Sequence, residues 1–411
     1  MSRIKKYSRK AATILKNEGL ISFGIKGLQK IQKYQSKKSD NVALKKRFVS
    51  LVDRQSVMDA DWSKNPYIAS LHKTKAPYTI NWVMSPPGGG GGHQNIFRFI
   101  EILDKLGYKN NVYLYSTQDD MTIAQARDNV SAYCEADKLS FYRYKKNIME
   151  QSDILFATGW ETAYPVFNEK TDAHKMYFVQ DFEPFFYPMG TDYVLAENTY
   201  KFGFHGVTAG GWLDKKLTSE YGMVCDHYDF GADPKNYQLT NSNKRKEIFF
   251  YARPVTERRG FDLGVMALEI FHKRMPEYTI NMAGWDISEW DVPFPYVNHK
   301  MMKMQELSDV YNKSAAALVM SLTNMSLLPL ELLACGTIPV VNDAPNNRLV
   351  SNNPYIAYTD PSPEALADKI IEIVKKDNLT TYSKEASESV ATNGWDVAGK
   401  KFLKIIDKEL S

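Results

Sequence analysis

The sequence predicts an α/β protein made of two Rossmann-like halves facing each other across a cleft. Three observations lead there. From Tyr78 onward, short apolar runs alternate with stretches of helical period, the pattern of parallel strands with helices on both faces of the sheet. The alternation runs through two series, separated by Asp233 to Arg245, a polar segment almost free of aliphatic side chains. At 411 residues and 44% hydrophobic content, the chain has enough apolar material for two or three domains, each with its own core.

The first series opens with the strand Thr79–Ser85, followed by Pro86, Pro87 and five glycines, Gly88 to Gly92. A helix is expected over His93–Leu106, because Ile96, Phe99, Ile100 and Leu103 share one face. Further strands are read at Asn111–Tyr115, Ile154–Ala157, Met176–Val179, Val207–Ala209 and Tyr228–Phe230. The second series starts with the strand EIFFYA from Glu247, then a helix over Phe261–Arg274, a strand over Tyr278–Ala283 and a helix over Lys303–Lys313. Its centre is Ala316 to Asp343. There a fully apolar strand, Ala316–Met320, runs into the polar loop Ser321–Ser326 and the short helix Leu327–Cys335. Gly336 supplies a left-handed cap and Ile338–Val341 is the next strand. Helices over Pro363–Lys376 and Trp395–Leu410 complete the set. The boundaries this gives are a basic segment 1–48, a first half 49–240 joined by the last helix 395–411, and a second half 241–394.

Composition narrows the function. The net charge of +4 is uneven: residues 1–50 hold 14 Lys and Arg against two acids, a balance of +12, which leaves −8 for the other 361 residues. Within 3–38, Ile14, Ile21, Ile25, Leu28 and Ile31 alternate with basic residues and suggest one or two amphipathic helices. Such a segment suits peripheral contact with an anionic membrane, or equally a helix packed on the body with a solvated basic face. Few aromatics accompany the charge, which speaks against nucleic acid. No apolar run approaches the roughly 20 residues of a membrane span, and no signal-peptide pattern opens the chain. Three widely spaced cysteines fit a reducing cytoplasm and form no zinc pattern with the seven histidines.

The candidate chemistry sits after strands. In open α/β sheets ligands bind at the carboxyl ends of strands, where helix N-termini also favour phosphate. Gly90, Gly91 and Gly92 permit close backbone approach to a phosphate or substrate, though a flexible loop is the plain alternative. The run lacks the Gly-Lys-Ser/Thr ending of an NTPase loop, and no acid closes the next strand as dinucleotide binding would need. Arg253, Arg258 and Arg259 follow the EIFFYA strand, and the guanidinium fork suits a diphosphate. Asp181 and Glu183, in VQDFEPFFYP, place carboxylates among aromatics, a combination that suits sugars, with a proline-anchored turn as the alternative. Glu331, in the first turn or so of the helix after Ser326, can accept from a sugar or ribose hydroxyl. Asp59-Ala60-Asp61 has the Asp-X-Asp form of metal-dependent transferases but stands at no strand end.

Taken together, YARP…RRGF, QDFEP and LPLELLACGTIPVV resemble the GT-B glycosyltransferases, more narrowly the retaining family-four enzymes. Among these the chain is similar to bacterial dTDP-rhamnosyltransferases of surface (S-layer) glycan assembly, the WsaF type, from about residue 75 to the end. The resemblance implies a second half that binds the nucleotide-sugar, here dTDP-rhamnose, and a first half that binds a lipid-linked glycan acceptor. It implies no metal and no cofactor beyond the donor, with cations neutralising the leaving diphosphate. Arg253 and Arg259 match the Arg and Lys that hold the diphosphate, with Arg standing in for Lys. Glu331 matches the second Glu of a paired-Glu motif, at the ribose beside Leu328, and Lys303 is a further phosphate candidate. The first Glu of that pair falls at Thr323, so Thr323, Asn324 and Met325 are left to shape the donor-sugar pocket. If configuration is retained, the leaving phosphate oxygen deprotonates the acceptor, while Asp181 or Glu183 orients it. A non-catalytic glycan-binding protein on the same frame, a transferase of another nucleotide-sugar and a nicotinamide-dependent oxidoreductase are the alternative readings.

Overall fold

The computed structural model describes residues 51–69, 73–88, 90–118, 121–135, 139–233, 235–392 and 394–410. The basic segment 1–48, with its expected amphipathic helices, lies outside the described residues.

The elements in chain order are α1 (Arg54–Asp59), β1 (Thr79–Met84), α2 (Gly91–Lys105), β2 (Lys109–Leu114), α3 (Ile123–Ser131), β3 (Ser140–Arg143) and β4 (Ile154–Ala157). Then come α4 (Trp160–Asn168), β5 (His174–Val179), α5 (Thr191–Asn198), β6 (His205–Ala209), α6 (Gly211–Tyr221) and β7 (Cys225–Tyr228). The second series holds β8 (Glu247–Tyr251), α7 (Phe261–Arg274), β9 (Thr279–Ala283), β10 (Val297–Lys300), α8 (Met304–Lys313) and β11 (Ser314–Val319). It continues with α9 (Leu328–Ala334), β12 (Ile338–Asn342), α10 (Pro345–Arg348), β13 (Ala357–Thr359), α11 (Pro363–Val374) and α12 (Leu379–Glu388). The chain returns through α13 (Trp395–Leu410).

The strands form two all-parallel sheets, ordered β3-β2-β1-β4-β5-β6-β7 and β10-β9-β8-β11-β12-β13. Both start at an inner strand, run outward, then cross back to the other side, which is the doubly wound order. The central strands are apolar because helices cover both faces: β4, β5, β6, β11 and β12 are buried along their whole length. Edge strands β3, β10 and β13 are only three or four residues long and half-exposed, and sequence reading overlooked them.

Helix α2 starts at Gly91, two residues earlier than periodicity suggests, because the last glycines of the run join its first turn. At the far end of α9, Gly336 has φ +74°, the left-handed value its position calls for. The polar segment 233–245 is less of a free tether than its composition suggests. Tyr237 is 3% exposed, and buried Arg245 donates to the carbonyls of Ser314 (3.2 Å) and Cys335 (3.0 Å). Burial brings the Arg245 guanidinium down to about 10. This segment and the start of α13 run together through a bridge between Ala232 and Gly394. A side chain at Gly231 would meet the Gly394 carbonyl carbon and the Trp395 nitrogen at 2.7 Å, so only glycine fits there.

The last helix belongs to the core of the first lobe. Phe402 stacks at 4.7 Å on Phe99 and 6.0 Å on Phe156, beside the Trp82–Phe156 stack at 4.4 Å. Glu409 accepts from His205 at 2.6 Å, and Lys408 pairs with Asp226 at 2.9 Å. Among the described residues no helix is long and apolar enough to cross a membrane. Because Phe402 is 1% exposed within this cluster, Phe402→Ala should lower the stability of the folded protein by about 3–5 kcal/mol in urea denaturation followed by near-ultraviolet circular dichroism.

Candidate functional site

The order of each sheet fixes where a ligand can sit. Winding reverses between β1 and β4 in the first lobe and between β8 and β11 in the second, and the loops that leave these strands diverge. The structure gathers them around one cavity of about 770 Å³. The first lobe contributes Gly90, Gly91, Gly92, Glu161, Gln180, Asp181 and Glu183, and the second contributes Arg253, Arg258, Arg259, Asn324, Met325, Leu328 and Glu331. Two residues that the family resemblance assigns to the donor site are not in the lining. Thr323 is 2% exposed and lies behind the wall, and Lys303 is exposed at the start of α8, beyond the Met301 and Met302 that do line it. Asp59 is elsewhere, paired with Lys146 at 2.9 Å, while Asp61 accepts from Asn65. No group of three His, Cys, Asp or Glu that could hold a metal occurs among the described residues.

The three arginines after β8 take different positions. Arg258 lies 3.6 Å from the Asp181 carboxylate, with its guanidinium 4.1 Å over the Phe186 ring. Arg253 donates to the Gly284 carbonyl at 3.3 Å and rests over Trp285, and Arg259 donates to Ser321 Oγ at 3.1 Å. Both leave further guanidinium donors beside the cavity, since each fork carries five N–H groups.

The acids are held more firmly than their sequence context suggests. Asp181 lies two residues past β5 in the first lobe, yet its carboxylate accepts from Thr323 Oγ1 (2.8 Å) and the Asn324 N–H (2.9 Å) of the second. Asn324 in turn donates to the carbonyls of Gln180 (3.0 Å) and Ala209 (2.9 Å). Asp181 is thus an interlobe tie. Burial raises its carboxyl, against the pull of the Asn324 amide and of Arg259 and Arg258. Glu183 caps α4, accepting from the Trp160 N–H at 2.6 Å and the Tyr177 hydroxyl at 3.1 Å. Burial, then the neighbouring Glu161 charge, push Glu183 well above the carboxylate range, and burial raises Glu161 as well. Burial thus holds both carboxyls toward the protonated form. Burial also carries Glu331 up to about 8, with the charge of Arg98 and a hydrogen bond from Tyr237 working the other way.

The glycine run has a distinctive geometry. Gly90 has an ordinary extended backbone, φ −73°, and a side chain at Gly90 or Gly91 would meet nothing within 4 Å. Neither strain nor crowding by the protein calls for glycine at these two positions, so what glycine preserves is open space along the cavity. Gln180 anchors the start of α2 by donating to the Gly92 carbonyl at 3.0 Å.

Sequence reading missed Glu161 and Arg98, both of which line the cavity. Glu161 carries the signal that marked Glu331, an acid in the first turn of the helix after a buried strand, here ILFA then TGWE. Arg98 carries none, being one polar residue inside an amphipathic helix.

Two opposed Rossmann-like lobes with a cavity at both switch points define the GT-B fold of glycosyltransferases. Models of the C-terminal and N-terminal domains of WsaF match residues 246–371 and 108–209, together more than half of the chain. The chain belongs to the WsaF family. It is 27% identical over 351 residues to the O-antigen biosynthesis protein RfbC of Myxococcus xanthus, a match that covers 82% of this chain but only 28% of that longer protein. A glycosyltransferase from Rickettsia africae is similar in fold, with TM-score 0.58, 16% identity, 82% of this chain and 100% of that one covered. Anabaena HepE, solved with UDP-glucose, is similar with TM-score 0.63, 11% identity, 80% of this chain and 100% of that one covered.

Removing the Asp181 carboxylate would strand two buried donors, Thr323 Oγ1 and the Asn324 N–H. Asp181→Ala should therefore cost about 2–4 kcal/mol in chemical denaturation and enlarge the radius of gyration in small-angle X-ray scattering as the lobes part. An unchanged scattering profile would deny the tie.

Proposed function

We propose that the protein is a retaining, metal-independent glycosyltransferase that moves rhamnose from dTDP-rhamnose to a lipid-linked glycan in bacterial surface-polysaccharide assembly. The observation that carries this reading is the cavity itself, where Arg253 and Arg259 of one lobe oppose the open glycine turn of the other. Membership of the WsaF family, the O-antigen relative and the UDP-glucose bound by HepE support it.

The chemistry follows from charge. As the sugar–phosphate bond breaks, the sugar gains oxocarbenium character and the departing diphosphate gains negative charge. Cations already in place grip that diphosphate harder as it leaves, and so lower the barrier. Arg253 and Arg259, anchored through Gly284 and Ser321, are the groups we assign to this role, assisted by the amides of the first turn of α2. Glu331 and Leu328 take the ribose end of the nucleotide. Asn324 and Met325 border the donor sugar, and a 6-deoxy sugar asks for fewer hydroxyl partners there. The leaving phosphate oxygen accepts the acceptor's proton. Asp181 then serves the site by fixing the two lobes, and the Glu161–Glu183 pair borders the acceptor side.

Purified protein incubated with a lipid-linked glycan acceptor and dTDP-rhamnose, UDP-glucose or GDP-mannose should release dTDP from the first and leave the others intact. Release from none of them would sink the transferase reading, and release of UDP or GDP alone would replace the donor. Arg253→Ala should cut turnover at least tenfold, the scale of one charged hydrogen bond in a transition state, with an unchanged melting temperature. Near-wild-type turnover would deny Arg253 its role.

A further inference from the structure

The first lobe places one cation in the cavity whose neighbours do not account for it. Arg98 lies two turns into α2 and lines the cavity from the side opposite the arginines of the second lobe. Its guanidinium is stacked 4.6 Å over the Trp395 ring, which fixes it in place without neutralising it. The buried Nη1 atom has no hydrogen-bond partner among the described residues. The groups that feel its charge come from two segments: the carboxyl of Glu331 in α9 and the neutral phenol of Tyr237 in the interlobe segment. No ion pair joins Arg98 to an acid among the described residues. A guanidinium with an orphaned nitrogen, on the wall of a cavity and unpaired with a carboxylate, needs an anionic or hydroxyl-rich partner to be satisfied.

We propose that Arg98 is a nucleotide-binding residue, its guanidinium closing from the first lobe on the sugar and phosphate of a nucleoside diphosphate whose ribose or deoxyribose 3′-hydroxyl donates to Glu331. This rests on the donor-site reading given above and adds a first-lobe residue to it. Bound nucleotide then touches both lobes at once, and the Arg98 charge has a second effect across the cleft. Arg98 opposes the upward push of burial on Glu331, and so keeps part of that carboxylate ionised to receive that hydroxyl. The groups that face Glu331 are Arg98, Asp233, Tyr237, Tyr311 and Cys335. Of these Arg98 is the cation.

The test is isothermal titration calorimetry of the full chain with dTDP and with UDP, from pH 6 to 9. Wild-type affinity should rise with pH as Glu331 ionises near 8. Arg98→Gln should bind about tenfold more weakly, the scale of one charged hydrogen bond, and Arg98→Lys should recover part of that loss. Loss of the cation should also move the pH-dependent rise upward in Arg98→Gln, which a merely structural role would not do. Should Arg98→Gln not fold, Arg98→Met keeps the apolar stem over Trp395 and serves in its place. Equal affinity and an unmoved pH profile in the variant overturn the proposal alone. Failure of the wild-type protein to bind either nucleotide overturns the donor-site reading and this proposal with it.

Discussion

The structure depends most on a carboxylate that belongs to one lobe and is satisfied by the other. Asp181 sits just past β5, but its partners Thr323 and Asn324 follow β11, and Arg258 follows β8. A buried acid would be costly alone; two hydrogen bonds from the second lobe, a third from the Phe182 N–H of its own lobe (2.8 Å) and the nearby Arg258 charge make it tenable. Because the second-lobe partners, two hydrogen-bond donors after β11 and one cation after β8, come from both switch-point loops, the same contacts that stabilise the acid set the separation of the lobes, and with it the width of the cavity. Asn324 reinforces the junction through the Gln180 and Ala209 carbonyls, so the adjacent strands β5 and β6 are both engaged.

With Asp181 occupied in this way, the charges around the cavity divide into structural and available groups. Arg258 is turned to Asp181 and Phe186, whereas Arg253 and Arg259 are each anchored by a single hydrogen bond. Glu183 is held by the helix it caps. Burial keeps the acids around the cavity reluctant to ionise, so the arginines see less negative charge than a count of carboxylates suggests.

Much of this was legible in the sequence because central strands and long helices carry strong patterns. Ile154–Ala157, Phe261–Arg274 and Trp395–Leu410 were read with the ends the structure gives them. The short edge strands and helices such as α3 and α4 were not, since three to nine residues with mixed exposure give too few repeats of any period. At the site, the candidate residues that directly follow a strand line the cavity, because a parallel sheet sends all its carboxyl ends to one side. What sequence could not reveal was pairing across the lobes. Asp181 looked like an acid facing substrate, and only the approach of Thr323 from 142 positions away turns it into a tie. Lys303 and Thr323 stand outside the lining for a similar reason: their neighbours line the cavity, and a turn of one residue takes a side chain out of it.

The chain passes between the lobes twice, and the two passages are side by side. Ala232 bridges to Gly394, and Gly231 is packed against the Trp395 backbone so closely that no side chain could be added. Two chain segments joined at one bridge behave as a door hinge rather than as a pair of separate tethers. Rotation about that single line is open to the lobes, while sliding past one another or twisting apart is resisted. Release of the Asp181 contacts would therefore swing the cleft along one path and return it along the same path, bringing the two walls back into register on each closure.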